Sequence, residues 1–139
     1  MTVQAERRRL STRIPIIQLR DTLIVSIQVA LTDRQISSLK DDITLAIRRH
    51  GPRGLVIDIS GVDILDSFIS RTLRDIGLIA RLMGVRAVIS GVNPMMAMTL
   101  VEMGLGLEGL ATALNLDMAL EVLSHAKQRR ATKRGARQR

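Results

Sequence analysis

The sequence contains no cysteine, tryptophan or tyrosine, a single phenylalanine and three prolines in 139 residues. Without cysteine there is no disulfide framework, no thiolate metal site and no cysteine nucleophile, which fits a reducing compartment. With Phe68 as the sole Phe, Tyr or Trp, the basic C-terminal end has no aromatic on which bases could stack. No apolar run reaches about 18 residues, the length of a membrane span, and the opening "MTVQAERRRLSTR" leads into no hydrophobic signal segment. A cytoplasmic protein with no membrane span is therefore expected. Motifs of the types G-x-S-x-G and H-E-x-x-H are absent, no pair of carboxylates has obvious catalytic spacing, and His50 and His125 have no second histidine at a metal-ligand spacing. The expectation is a protein that is not an enzyme and uses no metal or cofactor.

What is present is aliphatic. Hydrophobic residues make up 46% of the chain, nearly all Leu, Ile, Val, Ala and Met, enough for one domain with a sizeable core at this length. The net charge of +8 is unevenly placed. Residues 1–13 carry Arg7, Arg8, Arg9 and Arg13 against Glu6, and 127–139, "KQRRATKRGARQR", carry seven Lys/Arg and no acid. These ends account for +3 and +7, which leaves 14–126 at −2. Like-charge blocks of this kind read as solvated tails. The expected organisation is a basic arm over 1–12, one folded domain over 13–126 and a basic, disordered tail over 127–139.

Within the domain, "IPIIQL" (14–19) and "LIVSIQV" (23–29) are β-branched runs separated by Arg20-Asp21-Thr22, the pattern of a hairpin. Thr32 and Gln35 have capping-box spacing, and Ile36, Leu39, Ile43 and Ile47 follow at helical intervals up to Gly51. "LVIDI" (55–59) and "RAVIS" (86–90) read as strands buried on both faces, with a helix between them that starts near Asp66 or Ser67 and ends at Gly84. Asn93-Pro94 opens a third helix that stops near Gly104. A short strand near 110–114 and a helix from Asp117 to about Lys127 complete the series. The fold class is α/β, a mixed, mainly parallel sheet with an antiparallel first strand and four helices.

Residues 104–109, "GLGLEG", match G-x-G-x-x-G letter for letter but follow a helix instead of a strand. That context assigns them to turns and not to a pyrophosphate site. "GPRG" (51–54) lacks the Lys-Ser/Thr of a phosphate loop and serves as a helix stop.

"DILDSFIS" (63–70) gathers two acids, two serines and the one phenylalanine. At 100° per residue from Ser67, Ile69, Leu73, Ile76, Ala80 and Met83 fall between about 160° and 240° and form the core-facing stripe. Ser67, Arg71, Arg74, Leu78 and Leu82 lie within about 60° of zero and face away, a basic surface with leucines the core cannot reach. Asp66 and Ser67 can each serve as N-cap. Phe68, near 100°, is expected to pack under the helix start.

The chain resembles the STAS-domain family, and within it the RsbS-type scaffolds of bacterial stressosomes. The resemblance rests on "IPIIQLRDTLIVSIQ" (14–28), "GLVIDISGVDILDSFISRTLRDI" (54–76), "LMGVRAVISGVNPMMAMTLVEMGLGLE" (82–108) and "TALNLDMALEVL" (112–123). Its core is D-x-x-D-S-F followed by G-x-x-P. The resemblance implies that Ser67 is phosphorylated by a serine/threonine switch kinase, with a phosphatase to reverse it. Asp63, Asp66, Arg71, Arg74 and Leu78 are the residues expected at the partner surface. The partners implied are the kinase and related STAS scaffold or sensor proteins, in a homodimer or a large hetero-oligomer. Anti-sigma antagonists of the family show D-S-S-G where this chain reads Asp66-Ser67-Phe68-Ile69, which favours the scaffold subtype. Two alternatives stay open: an antagonist of a single kinase partner, and a tail-driven binder of nucleic acid or anionic surfaces. The near-neutral domain argues against nucleic acid as the main partner.

Overall fold

The computed structural model describes residues 14–104 and 110–137. Thr32 builds a complete capping box: its Oγ1 accepts from the Gln35 N–H at 3.2 Å, and Gln35 Oε1 accepts from the Thr32 N–H at 2.9 Å. The helix it opens, α1 (Asp33–His50), buries Ile36, Leu39, Ile43 and Ile47 and stops at Gly51, which sits in the left-handed region at φ 53°. Before it, β1 (Ile16–Leu19) and β2 (Thr22–Ser26) form the antiparallel hairpin around Arg20 and Asp21. After it come β3 (Gly54–Asp58), α2 (Ser67–Leu82), β4 (Arg86–Ser90), α3 (Pro94–Glu102), β5 (Leu110–Ala113) and α4 (Leu116–Arg137).

The strands lie side by side in chain order, β1-β2-β3-β4-β5, and all pairs after the hairpin are parallel. Parallel neighbours in chain order need right-handed crossovers, which place the connecting helices on one face of the sheet. The main core shows this arrangement. It joins Leu23, Val25, Leu55, Ile57, Ala87 and Ile89 of the sheet to the buried stripes of α1 and α2 and to Met96 of α3. The alternate residues Val56 and Val88 point to the other face, where Ala119 of α4 covers them with Leu116, Leu120 and Leu123 packed around. Each fully buried aliphatic side chain contributes about 1.5–3 kcal/mol, so this two-layer burial is the main source of stability.

Glycine is required where α2 meets β5. A Cβ on Gly77 would overlap the Leu110 side chain. This close approach draws the helix down onto the β4–β5 side of the sheet.

Two expectations need correction. The chain does not leave helical structure at residue 127: α4 continues to Arg137. Gln, Arg, Lys and Ala are good helix formers, and extending a helix already nucleated by a packed first half costs little. Arg134 and Arg137 in the last turn also face the negative end of the helix dipole. Met83, assigned to the core stripe, is half-exposed as the α2 C-cap. The "GLGLEG" stretch ends α3 through Gly104 at φ 64°, and its residues 105–109, like the basic arm at 1–12, lie outside the described residues.

Candidate functional site

The C-terminal edge of the parallel sheet holds a small polar network. Asp58, the last residue of β3, accepts hydrogen bonds at Oδ1 from the Ser60 N–H at 3.1 Å and at Oδ2 from Ser60 Oγ at 3.1 Å. Ser90 Oγ, at the end of β4, donates to Asp58 Oδ1 at 3.3 Å. One carboxylate thus ties two strand ends to the loop that follows β3. Gly91, at φ 84°, lets the β4–α3 loop press on that loop, since a Cβ there would stand 2.7 Å from Ser60.

Between Ser60 and α2 the chain alternates anchors and exposed side chains. Val62 and Leu65 are buried, while Asp63 is exposed and Ile64 is 79% exposed. Asp66 then caps α2, with Oδ1 accepting from the Ile69 N–H at 2.8 Å. The Asp66 carbonyl accepts from the Ser70 N–H at 3.0 Å and from Ser70 Oγ at 2.8 Å. Thr72 Oγ1 donates to the Phe68 carbonyl at 2.9 Å.

The cap and the serine are therefore separate. Of the two candidate N-caps, Asp66 does the capping, and Ser67 is the first helical residue, exposed and outside the hydrogen bonds that fix the helix start. With Ile69 and Ser70 supplied with acceptors, the N–H groups of Ser67 and Phe68 remain as the positive end of the helix dipole beside the hydroxyl.

Arg71 is exposed one turn on, and Arg74 is half-buried with Nε 4.0 Å from Asp75 Oδ1, an exposed ion pair of little weight. Leu78 and Leu82 are exposed on the same side, Leu82 at 88%. Phe68 corrects its expectation. It is 42% exposed, and Leu65 and Ile69 close the core in its place. Sequence reasoning missed Ile64 and the methionines Met95 and Met98 of α3, all largely exposed, as well as the Asp58 network. The signal for Ile64 was available, because in Asp63-Ile64-Leu65 two adjacent apolar residues in a short loop cannot both be buried. Ser67 thus shares an exposed stretch with Asp63, Ile64 and Phe68, and Arg71 is exposed one turn on.

Among the described residues, no group of three or more His, Asp and Glu side chains could hold a metal ion, and no helix is long and apolar enough to cross a membrane.

Comparison with known proteins gives a match to the model of the STAS domain over residues 13–119. A serine-to-glutamate variant of RsbS from Moorella thermoacetica is 38% identical, with a TM-score of 0.76 over 84% of this chain and 98% of that one. A chain in a structure of the stressosome, described as a signal integration and transduction hub, is 37% identical, with a TM-score of 0.70 over 81% of this chain and 98% of that one. The RsbT co-antagonist protein RsbRC of Bacillus subtilis is 36% identical over 66 residues, which are 48% of this chain and 23% of RsbRC. The chain thus spans about a quarter of RsbRC's length and nearly all of the RsbS chain.

Proposed function

The chain belongs to the STAS-domain family and is RsbS-like in sequence and fold, and from this premise we propose that it is a non-catalytic scaffold subunit of a stressosome-type assembly. In this reading the surface around the start of α2 binds and sequesters a serine/threonine switch kinase, and phosphorylation of Ser67 releases it. RsbR-type STAS proteins are the co-subunits. The observation that carries the reading is Ser67 itself: a hydroxyl at the first position of α2, exposed and relieved of capping by Asp66.

The physical consequences of modification follow from that position. A phosphate adds about −1.5 to −2 charges and three acceptor oxygens. At a helix N-terminus it meets the positive dipole end and free N–H groups, so the domain stays folded. Arg71, one turn on, is placed for a charge-assisted hydrogen bond to it. Asp63 and Asp66 oppose it, but in water two unit charges about 5 Å apart interact by under 1 kcal/mol. At the effective dielectric near 20 of a dried interface the same pair is worth roughly 3 kcal/mol. Phosphorylation therefore acts on the complex and spares the free protein. Ile64 and Phe68, exposed beside Ser67, supply the apolar contact that a partner would dry.

The test is the affinity of the folded chain for the switch kinase. Ser67→Ala is expected to retain binding, and Ser67→Asp to weaken it at least tenfold. Unchanged affinity in a Ser67→Asp variant with an unaltered melting transition contradicts the release mechanism. Sedimentation separates the scaffold from an antagonist of a single partner: the scaffold travels in a large particle with RsbR-type subunits, and the antagonist in a small complex.

A further inference from the structure

The opposite, N-terminal edge of the parallel sheet collects arginines from three separate segments. Arg20 lies in the β1–β2 turn, Arg53 immediately before β3, and Arg86 is the first residue of β4. Backbone hydrogen bonds hold these segments together: the Arg53 N–H donates to the Asp21 carbonyl at 2.7 Å, and the Arg86 N–H donates to the Arg53 carbonyl at 3.1 Å. Thr22, Gly54 and Arg86 share one register row, so Arg86 starts level with Gly54, while Arg53 and Arg20 start one and two residues further out along the same edge. All three are exposed.

Helix α4 supplies the facing wall. Leu123 packs on the start of β3, where a Cβ on Gly54 would stand 2.8 Å from its Cδ1. From Leu123 to Arg137 the helix runs on for about 20 Å at 1.5 Å per residue, past the edge of the sheet. Arg130, Lys133, Arg134 and Arg137 recur at helical spacing and form one face of this extension. Together the two walls line a cleft of about 1820 Å³, in which Asp21 is the one acid among the described residues. That volume exceeds the roughly 300–1,000 Å³ of small-molecule pockets, so the cleft suits an extended polymer better than a single small anion.

We propose that this cleft binds the phosphodiester backbone of a nucleic-acid strand, independently of sequence. Both walls present mostly arginine, whose planar fork matches phosphate oxygens bidentately. Several cations spread over two walls fit a ligand that carries many charges along its length, one per about 3.4 Å of strand. Anchoring of a protein segment would call for aromatic or aliphatic pockets, and the described lining of the cleft holds no Phe, Tyr or Trp, with Leu120 and Leu123 its only apolar side chains larger than alanine. Insertion into a lipid surface needs Trp, Phe or Leu opposite the basic face, whereas alanine is the only apolar side chain of residues 128–137. Without Phe, Tyr or Trp, His125 is the one aromatic ring in the described lining, so phosphate contacts are the main source of affinity.

The site lies at the other end of the strands from Ser67, so it stands or falls separately from kinase binding. Its test is fluorescence anisotropy of the full chain with a labelled oligouridylate of about 20 nucleotides, longer than the roughly 4–16 nucleotides a small binding domain covers. Binding should weaken steeply between about 50 and 200 mM salt. Replacing Arg53 and Arg86 by Gln should lower affinity at least tenfold at the lower salt and reduce the log–log salt slope by about 1.4, at about 0.7 per lost phosphate contact. Replacing Arg130 and Arg134 by Gln should do the same. Three results overturn the proposal: no binding at the lower salt, loss with the helix pair but not with Arg53 and Arg86, or equal competition by a poly-glutamate peptide of matched length. The last would point to an acidic protein segment.

Discussion

The two ends of the parallel sheet are built from the same strands and carry opposite chemistry. At the C-terminal end, Asp58 and Asp66 organise the loop after β3 by hydrogen bonds, Val62 and Leu65 anchor it, and Ser67 stands exposed outside those bonds. At the N-terminal end, Arg20, Arg53 and Arg86 stand exposed opposite the basic end of α4. A net charge of +8 on 139 residues describes neither end. The difference teaches that placement on the fold, and not the sum, determines which partners a surface can meet. It also separates two modes of recognition: a fixed loop with a single modifiable residue, and a cation-lined cleft with no fine positioning.

The largest perturbation should erase the distinction, because both ends hang on one core. Leu73 is fully buried between α2 and the sheet. Leu73→Ala should cost about 2–5 kcal/mol, and both ends should melt in one transition by circular dichroism. Separate transitions would break the premise of a shared core. A smaller change should touch one end alone. Asp66→Ala removes the α2 cap at a cost of about 0.5–2 kcal/mol; amide exchange should quicken in the first turn of α2, while oligonucleotide affinity stays unchanged. The smallest change belongs to the other end. Arg20 holds φ 56° without being glycine, a conformation that costs a side chain roughly 1–2 kcal/mol. Glycine relieves that strain but loses about 0.5–1 kcal/mol to unfolded-state entropy, so Arg20→Gly should raise stability by up to about 1 kcal/mol. The same variant should reduce the salt slope of oligonucleotide binding by about 0.7.

Most of the fold was legible because local signals and tertiary structure agree. Thr32 and Gln35, Gly51, and Asn93-Pro94 place helix ends where the structure has them, with Asn93 Oδ1 accepting from the Met96 N–H at 2.8 Å. The runs 55–59 and 86–90 read as buried strands because helices cover both faces of the sheet. The tail was misread because composition alone takes a like-charge block as unstructured, whereas helix extension depends on what precedes the block. Ser67 was placed on the outer face by angle alone. Periodicity could not separate it from Asp66 as a cap, since either oxygen reaches an N–H two or three residues on, and hydrogen-bond geometry decides the matter. The Asp58–Ser60–Ser90 network and the arginine cluster at the sheet edge join residues far apart in the chain, which no local pattern reveals.

The central claim is that Ser67 is the switch. Its most direct measurement is phosphosite mapping by mass spectrometry after the purified chain is incubated with a stressosome switch kinase and ATP, for the wild type and for Ser67→Ala. The account predicts one phosphate on the wild type, located on Ser67, and none on the variant. Equal incorporation in Ser67→Ala, with the phosphate on other serines, would contradict it.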